Sequence, residues 1–192
     1  MSLIRSAALA ALLCISAGPA FAHNGVVHTG CPYGQVFTVA SITVTGAFTR
    51  ATPKGAPSAG AYFVIANTGA EADTLVGASS LAAHDITLHS MAMDGSVMQM
   101  APVEGGLAIP PGGSVALAPM GYHLMLTGME QPFVEGQCVQ MTLHFAKAGD
   151  LAIELNIGAL GSTTAPSGKP DGAPSMDHDM SGMEAMSSME GM

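Results

Sequence analysis

Residues 89–100 read His-Ser-Met-Ala-Met-Asp-Gly-Ser-Val-Met-Gln-Met, with runs that favour extended structure on both sides of the central Asp-Gly pair. Asp-Gly is a strong signal for a two-residue hairpin loop, because both loop positions need a positive φ. With that pair as the loop, His89 lies opposite Met100 and Met91 lies opposite Met98. Opposed residues share one face of the sheet, with Cβ atoms about 4.5–5.5 Å apart. The hairpin therefore predicts one imidazole and several thioethers on a single patch.

A second pair of soft donors follows in residues 121–126, Gly-Tyr-His-Leu-Met-Leu. His123 and Met125 are two residues apart, which in a strand directs both side chains to one side. Thioether sulfur needs no deprotonation and imidazole is a borderline donor, so a His and Met set selects Cu(I) over zinc, magnesium or calcium. Taken singly, each methionine equally fits a packing role. The predicted Cu(I) ligands are His89, Met100, His123 and Met125, and the predicted flanking positions are Met91 and Met98.

The chain between residues 36 and 157 is predicted to consist of short strands. Val, Ile, Thr and Phe are concentrated in residues 36–48, further short strand candidates such as 138–145 follow, and no segment keeps a helical period. Clusters of glycine and proline separate these runs at short intervals. Many short strands with this punctuation favour an antiparallel β-sandwich or barrel.

Both ends of the chain differ in composition from this central part. Residues 1–22 combine an early arginine, an apolar run and Ala-Phe-Ala before position 23, which is typical of a cleavable secretory signal peptide. This apolar run is too short for a membrane span, and no later run reaches the roughly 20 apolar residues that a span needs. We expect residues 23–160 to form one soluble copper-binding domain and residues 161–192, rich in Ser, Pro, Gly and Asp, to form a disordered tail.

Methionine is unexpected in the predicted tail, because no core is available there for it to fill. Five of the tail methionines recur at every third position, which also fits an amphipathic helix formed on a partner. His23, the expected new N-terminus, offers an amine and an imidazole that chelate Cu(II). The tail suits Cu(I), Cu(II) or both. The predicted secondary metal positions at the two ends are His23, Met176, His178, Met180 and Met183.

Charge and motif content exclude several classes of protein. Beyond residue 22 the chain has four basic residues against 14 acidic ones, so nucleic acid is not an expected partner. The sequence has no Gly-x-Ser-x-Gly elbow, phosphate-binding loop or His-Glu-x-x-His motif, and we expect a carrier and not an enzyme. Cys31 and Cys138 are expected to form a disulfide. The alternative makes Cys138 the thiolate of a blue-copper electron carrier, with His144 on the same strand.

Five motifs, in this order along the chain, resemble those of the periplasmic PCu(A)C copper chaperones. They are Arg-Ala-Thr-Pro-x-Gly-Ala at 50–56, Asn-Thr-Gly at 67–69, Leu-Val-Gly-Ala-Ser-Ser at 75–80, Met-x-Met-x-Pro-Val-Glu-Gly-Gly-Leu-x-Ile-Pro at 98–110 and Gly-Tyr-His-x-Met-Leu at 121–126. The resemblance covers residues 40–157.

The resemblance implies a cupredoxin-like β-sandwich in the periplasm that binds Cu(I) through His and Met. The family signature is a His or Met, ten residues, a Met, a longer gap and then His-x-Met; His89, Met100, His123 and Met125 occupy these places. The longer gap exceeds the family pattern by one residue, which keeps Met98 open as an alternative to Met100.

The family also implies a destination for the metal. Its members are implicated in delivering copper to the CuA centre of cytochrome c oxidase, so the expected partners are copper, oxidase subunit II or a thiol copper-assembly protein. We expect a monomer. One alternative function is periplasmic copper sequestration or tolerance with the tail as a metal buffer, and a less favoured one is the cupredoxin-type electron carrier.

Overall fold

The computed structural model describes residues 27–95 and 97–167. The predicted signal peptide, His23 and the four tail positions Met176, His178, Met180 and Met183 lie outside these residues. Within them there is no helix, and so none that is long and apolar enough to cross a membrane.

Strands account for most of the described chain. They are β1 (Val27–Thr29), β2 (Val36–Val39), β3 (Ile42–Arg50), β4 (Ser58–Asn67), β5 (Asp73–Ser79), β6 (Asp85–Asp94), β7 (Val97–Pro102), β8 (Leu107–Ile109), β9 (Ser114–Leu117), β10 (His123–Thr127), β11 (Gln137–Phe145) and β12 (Gly149–Gly158). Each predicted run coincides with a strand to within a few residues. Only β1 lies in a segment where the sequence predicts no strand.

The strands join in one hydrogen-bonded sheet that follows the order β7-β6-β10-β4-β3-β12-β11-β5-β8, with β1, β2 and β9 attached to β11, β3 and β4. All of these strand pairs are antiparallel except β12 with β3. A single cluster of buried apolar side chains draws on both halves of this path, from Ile42 and Phe63 to Leu143 and Leu155. The sheet therefore encloses one core, and the predicted all-β, largely antiparallel sandwich is confirmed.

Strand β10 shows how this core sets the face of the predicted ligands. Leu124 and Leu126 are fully buried in the core cluster. Because successive side chains point to opposite faces of a sheet, His123 and Met125 must lie on the outer face. A slip of one residue would exchange the two pairs and expose both leucines, so burial of the leucines stabilises this register.

The β6–β7 hairpin keeps the predicted face but not the predicted register. Met91 pairs with Met100, and His89 pairs with Pro102. The prediction that His89 lies opposite Met100 is therefore wrong by two residues. The strands remain paired as far as Asp94, and Gly95, with a φ of 62°, comes directly after them. Asp94 is therefore the last residue of β6, and Gly95 is the first residue of the loop instead of its second. Glycine is favoured at this first position in some two-residue loops.

A buried carboxylate ties β5 to the turn between β11 and β12. Asp73 accepts hydrogen bonds from the backbone N–H groups of Thr74 (2.7 Å), Lys147 (2.9 Å) and Ala148 (2.9 Å). Burial alone would raise the pKa of Asp73, but these three N–H groups and the Lys147 charge together hold that pKa below its ordinary value.

The first residues of the predicted tail contact the domain. Arg50 Nε donates a hydrogen bond to the carbonyl oxygen of Ser162 (2.7 Å), and the Ser162 side chain lies against Gly158. Residues 161–167 are thus packed beside the end of β12.

Candidate metal centre

The outer face of four neighbouring strands, β7, β6, β10 and β4, collects soft donor side chains. Residues of one parity on each strand share this face, as the pairings of β6 with β7 and of β6 with β10 require. The donors on this face, here called the donor face, are His89, Met91, Met93, Met98, Met100, His123 and Met125.

Two imidazoles lie at the centre of the donor face. His89 on β6 is directly opposite His123 on β10. Their rings are stacked, with centroids 5.8 Å apart and planes inclined by 20°. His123 is 9% exposed, whereas His89 is half-buried. The sequence places the two rings in separate motifs, and the fold brings them together as cross-strand neighbours.

Hydrogen bonds orient both rings through the same ring nitrogen. His123 Nδ1 lies 3.2 Å from the carbonyl oxygen of Gly121, and His89 Nδ1 lies 3.3 Å from Thr87 Oγ1. A carbonyl is only an acceptor, so Nδ1 of His123 carries the proton and Nε2 keeps its lone pair. A hydrogen bond that fixes the tautomer in this way is usual for a metal-binding histidine. The same carbonyl accepts the Met91 backbone N–H (3.2 Å), which joins β6 to this turn.

The methionines surround the imidazole pair at different distances along the strands. Met91 follows His89 on the same side of β6, and its partner across the hairpin is Met100. Met125 is opposite Thr87, two residues along from the imidazole pair in the other direction. Met100 is 49% exposed, while Met91 and Met125 are half-buried.

The observed register changes which methionines lie nearest to the two imidazole rings. Met91, predicted as a flanking residue, is at least as close to the two rings by strand position as Met100. Met98 is opposite Met93 and lies two positions beyond Met100 towards the hairpin end. The geometry therefore favours Met100 over Met98 as a partner of the imidazoles, and adds Met91 as a competitor.

A tyrosine forms one wall of the donor face. Gly60 on β4 pairs with Met125, and the Tyr62 ring lies over Gly60 so closely that a Cβ there would be 2.7 Å from Tyr62 Cζ. The ring packs against Phe48, with centroids 5.1 Å apart, and the Arg50 guanidinium lies 5.4 Å from its centroid. The missing Cβ of Gly60 thus lets an aromatic ring lie beside Met125.

Neither Gly60 nor Tyr62 is identified by sequence reasoning. Their role depends on which strand follows β10 in the sheet, and no local pattern specifies that neighbour. The Gly121 carbonyl escapes notice for another reason, since a backbone group carries no side-chain signature.

Cys31 and Cys138 form a disulfide with a Cα–Cα distance of 6.1 Å. In this state Cys138 offers no thiolate to copper. His144, which is on the same strand, has two partners: its Nε2 lies 2.9 Å from Ser79 Oγ and its Nδ1 lies 2.7 Å from Asp150 Oδ1. These contacts do not provide the thiolate and histidine set that a blue-copper carrier needs.

The sequence of this chain is similar to those of known lipoproteins. A family model described as "Putative lipoprotein LpqE-like" matches residues 42–157, more than half of the chain. A lipoprotein of Leifsonia xyli subsp. xyli (strain CTCB07), named as putative, is 33% identical over 105 residues. The matched part covers 55% of this chain and 62% of that relative, so the chain spans less than two thirds of the relative's length.

Two solved structures have the same fold. The copper-bound PCuAC domain from PmoF2 has a TM-score of 0.56 and 25% identity, and the match covers 65% of this chain and 98% of that domain. The apo PCuAC domain from PmoF1 has a TM-score of 0.56 and 26% identity, and the match covers 65% of this chain and 99% of that domain. The resemblance to the PCu(A)C family and the predicted cupredoxin-like sandwich are thereby confirmed. The chain belongs to the LpqE-like lipoprotein family and has the fold of a PCuAC domain.

Proposed function

We propose that this protein is a copper chaperone that carries Cu(I) on the donor face. The ligands are His89, His123, Met125 and Met100, with Met91 as a further sulfur that exchanges with Met100. A relative of the same fold is a copper-bound PCuAC domain, which supports copper as the cargo. Imidazole and thioether donors together favour Cu(I) over harder ions.

The stacked imidazole pair is the observation that carries this proposal. Its two rings are 5.8 Å apart between centroids, and both use Nδ1 for hydrogen bonds. The Nε2 atom of His123 therefore keeps its lone pair for a metal, and by strand position methionines lie on both sides of the two rings.

The exposure of the donors suggests how copper leaves. Met100 is half-exposed at the outer strands of the donor face, whereas His123 is buried. Thioethers are neutral and labile ligands, so the exposed sulfur is the first to be replaced by an incoming acceptor ligand. His123, held by the Gly121 carbonyl, is the last to release the metal. This order makes the site suited to transfer.

The family resemblance supports an exported, periplasmic location, and the matched lipoprotein relative is consistent with export. The acceptor is then cytochrome c oxidase, through its CuA centre in subunit II, or a thiol protein that assembles that centre. The chaperone acts as a monomer without catalysing a reaction.

The test is Cu(I) affinity measured by competition with a chromophoric chelator. His123→Asn combined with Met125→Leu should weaken Cu(I) binding at least about 100-fold. Loss of a residue that only supports a metal ligand already weakens binding by up to about 100-fold, and this variant removes two ligands. The matched control is His84→Asn combined with Met129→Leu, since the exposed His84 and Met129, which packs against the core, both lie off the donor face. Unchanged affinity in the first variant, or an equal loss in the control, would contradict the site.

Copper sequestration is the second candidate, and the methionine-rich sequence beyond residue 167 favours it. Truncation after Ser167 keeps the hydrogen bond between Arg50 and Ser162 and removes only that sequence. If the tail is a buffer, the truncated protein supports oxidase assembly but not copper tolerance. If the tail takes part in delivery, oxidase activity falls with it.

A further inference from the structure

A second group of metal-binding atoms lies on β1 and β11, away from the donor face. Ligand atoms of His28, Cys31 and Cys138 all lie within 4.8 Å of one another. Strands β10, β4, β3 and β12 separate β11 from β6 along the sheet. The group is therefore distinct from the imidazole pair.

Backbone pairing maintains most of this group without the disulfide. His28 pairs with Cys138 in the β1–β11 ladder, and Val27 pairs with Val139 beside it. Directly opposed residues of an antiparallel pair keep their Cβ atoms about 4.5–5.5 Å apart. Cys31 follows β1 by two residues and its Sγ lies 3.6 Å from the His28 carbonyl oxygen, which can accept a thiol proton.

We propose that the reduced Cys31–Cys138 pair and His28 form a second Cu(I) site, which the disulfide abolishes. A dithiol reductant supplies two electrons and two protons: the disulfide bond breaks, two protein thiols form, and the reductant becomes a disulfide. Binding of Cu(I) then releases the two thiol protons and gives a site with two thiolates and one imidazole. In the reverse step a disulfide oxidant accepts two electrons from the two thiolates and takes up two protons to become a dithiol, the Cys31–Cys138 bond forms again, and Cu(I) is released.

The distances suit such a site. The two ring nitrogens of His28 lie 3.4 Å (Nδ1) and 3.5 Å (Nε2) from Cys138 Sγ, and Nδ1 is also 3.4 Å from the Thr29 carbonyl oxygen. Sulfur and nitrogen ligands of one metal ion, with bonds of about 2.3 and 2.0 Å, are separated by roughly 3.5 Å, and two sulfur ligands by roughly 3.8 Å. The imidazole is therefore at ligand distance from Cys138, and rotations of its ring and of the partly exposed Cys31 side chain supply the remaining geometry.

A carboxylate supports the imidazole from its other side. Glu154 Oε1 lies 3.3 Å from His28 Nε2, and Glu154 Oε2 accepts a hydrogen bond from Gln35 Nε2 (3.0 Å). A carboxylate on the second ring nitrogen of a metal-binding histidine fixes its orientation and raises its basicity. Because Nε2 faces Glu154, Nδ1 is the ring nitrogen that we assign to the metal.

Exposure defines how the disulfide is opened. Cys138 is fully buried, whereas Cys31 is half-buried. An external thiolate therefore attacks Cys31 Sγ, and Cys138 leaves as the thiolate beside His28. A groove of about 570 Å³ is lined in part by Gln35 and by Glu154, the carboxylate that contacts His28.

The experiment compares Cu(I) stoichiometry of the full mature chain before and after reduction with dithiothreitol, which is removed without air. Reduction should add one Cu(I) per chain, together with ultraviolet thiolate-to-copper charge-transfer absorption. Cys31→Ser combined with Cys138→Ser should show the same stoichiometry with and without reductant. No added copper in the reduced wild type, or the same gain in the serine variant, would overturn the proposal.

His28→Ala provides an independent variant that keeps the disulfide. Its reduced form should bind the additional Cu(I) at least tenfold more weakly than the wild type, with the first Cu(I) unaffected; equal affinity would remove His28 from the site. The donor-face variant of His123 and Met125 should still gain one Cu(I) on reduction. This last result distinguishes failure of the second site from failure of the proposed function, because each site can be removed while the other still binds Cu(I).

Discussion

A single methyl group at Gly60 should disturb the donor face without touching any proposed ligand. The Cβ of Gly60→Ala would lie 2.7 Å from Tyr62 Cζ and closer still to the hydroxyl oxygen. Non-bonded carbon atoms prefer about 3.5–4.0 Å, so the ring must move by roughly 1 Å. Phe48 and Arg50 pack against this buried ring and restrict that movement.

Overpacking of this kind costs about 1–3 kcal/mol. For a domain of this size, that corresponds to a fall in Tm of about 3–10 °C. Because residue 60 is directly opposite Met125, the displaced ring also disturbs this ligand. Cu(I) affinity should therefore fall about tenfold, the smaller of the losses found when a residue that supports a metal ligand is changed. Thermal unfolding followed by circular dichroism and chelator competition measure the two effects.

Gly77→Ala is the matched control. Gly77 is also in a strand, has no left-handed φ and has no atom within 4 Å of its ideal Cβ position. Replacing it should leave Tm unchanged or slightly raised, since alanine loses less backbone entropy than glycine. Combining Gly60→Ala with Tyr62→Leu should cost less than the sum of the single changes. If Gly60→Ala behaves like Gly77→Ala, the role assigned to the tyrosine wall is wrong.

Three further predictions concern sulfur exchange, the buried carboxylate and the disulfide. Met91→Leu and Met100→Leu should each weaken Cu(I) binding about tenfold or less, because either thioether can replace the other as a ligand. The double variant should weaken binding by more than the product of the two single effects. If chelator competition shows that the two effects simply multiply, the two sulfur atoms do not exchange at the metal. Asp73→Asn should lower the free energy of unfolding by about 2 kcal/mol at pH 7. Because the pKa of Asp73 is lowered in the folded state, this difference should shrink as pH falls below about 4, and a pH-independent difference in urea unfolding would refute the assignment. Replacing Cys31 and Cys138 with Ser should cost about 3–5 kcal/mol in urea unfolding, since the bond closes a long loop, and an unchanged midpoint would argue against that stabilisation.

The strands could be predicted from sequence because their signals are local. Val, Ile, Thr and Phe mark β3, apolar residues at alternate positions mark β11, and glycine or proline separates neighbouring runs. On β10 the His-Leu-Met-Leu pattern also predicts which side chains face outwards. Strand β1 is not predicted because it has only three residues and is held mainly by pairing with β11 and by the disulfide.

The site was predictable in its residue types and face but not in its detailed pairing. The hairpin register depends on whether Gly95 begins or ends the loop, and Asp-Gly permits both placements. The facing of His89 and His123 depends on β10 joining β6, which is a long-range pairing that short motifs do not encode. The partners of two further histidines are equally long-range: His144 contacts Ser79 and Asp150, and His84 Nε2 lies 3.9 Å from Glu130 Oε1.

X-ray absorption at the copper edge of the Cu(I)-loaded protein, truncated after Ser167 and with its disulfide oxidised, tests the central claim most directly. It should show one Cu(I) per chain with nitrogen from two imidazoles and sulfur from two thioethers, and both contributions should diminish in the His123 and Met125 variant. A shell of nitrogen and oxygen alone, or a spectrum unchanged in that variant, would contradict a copper site on the donor face.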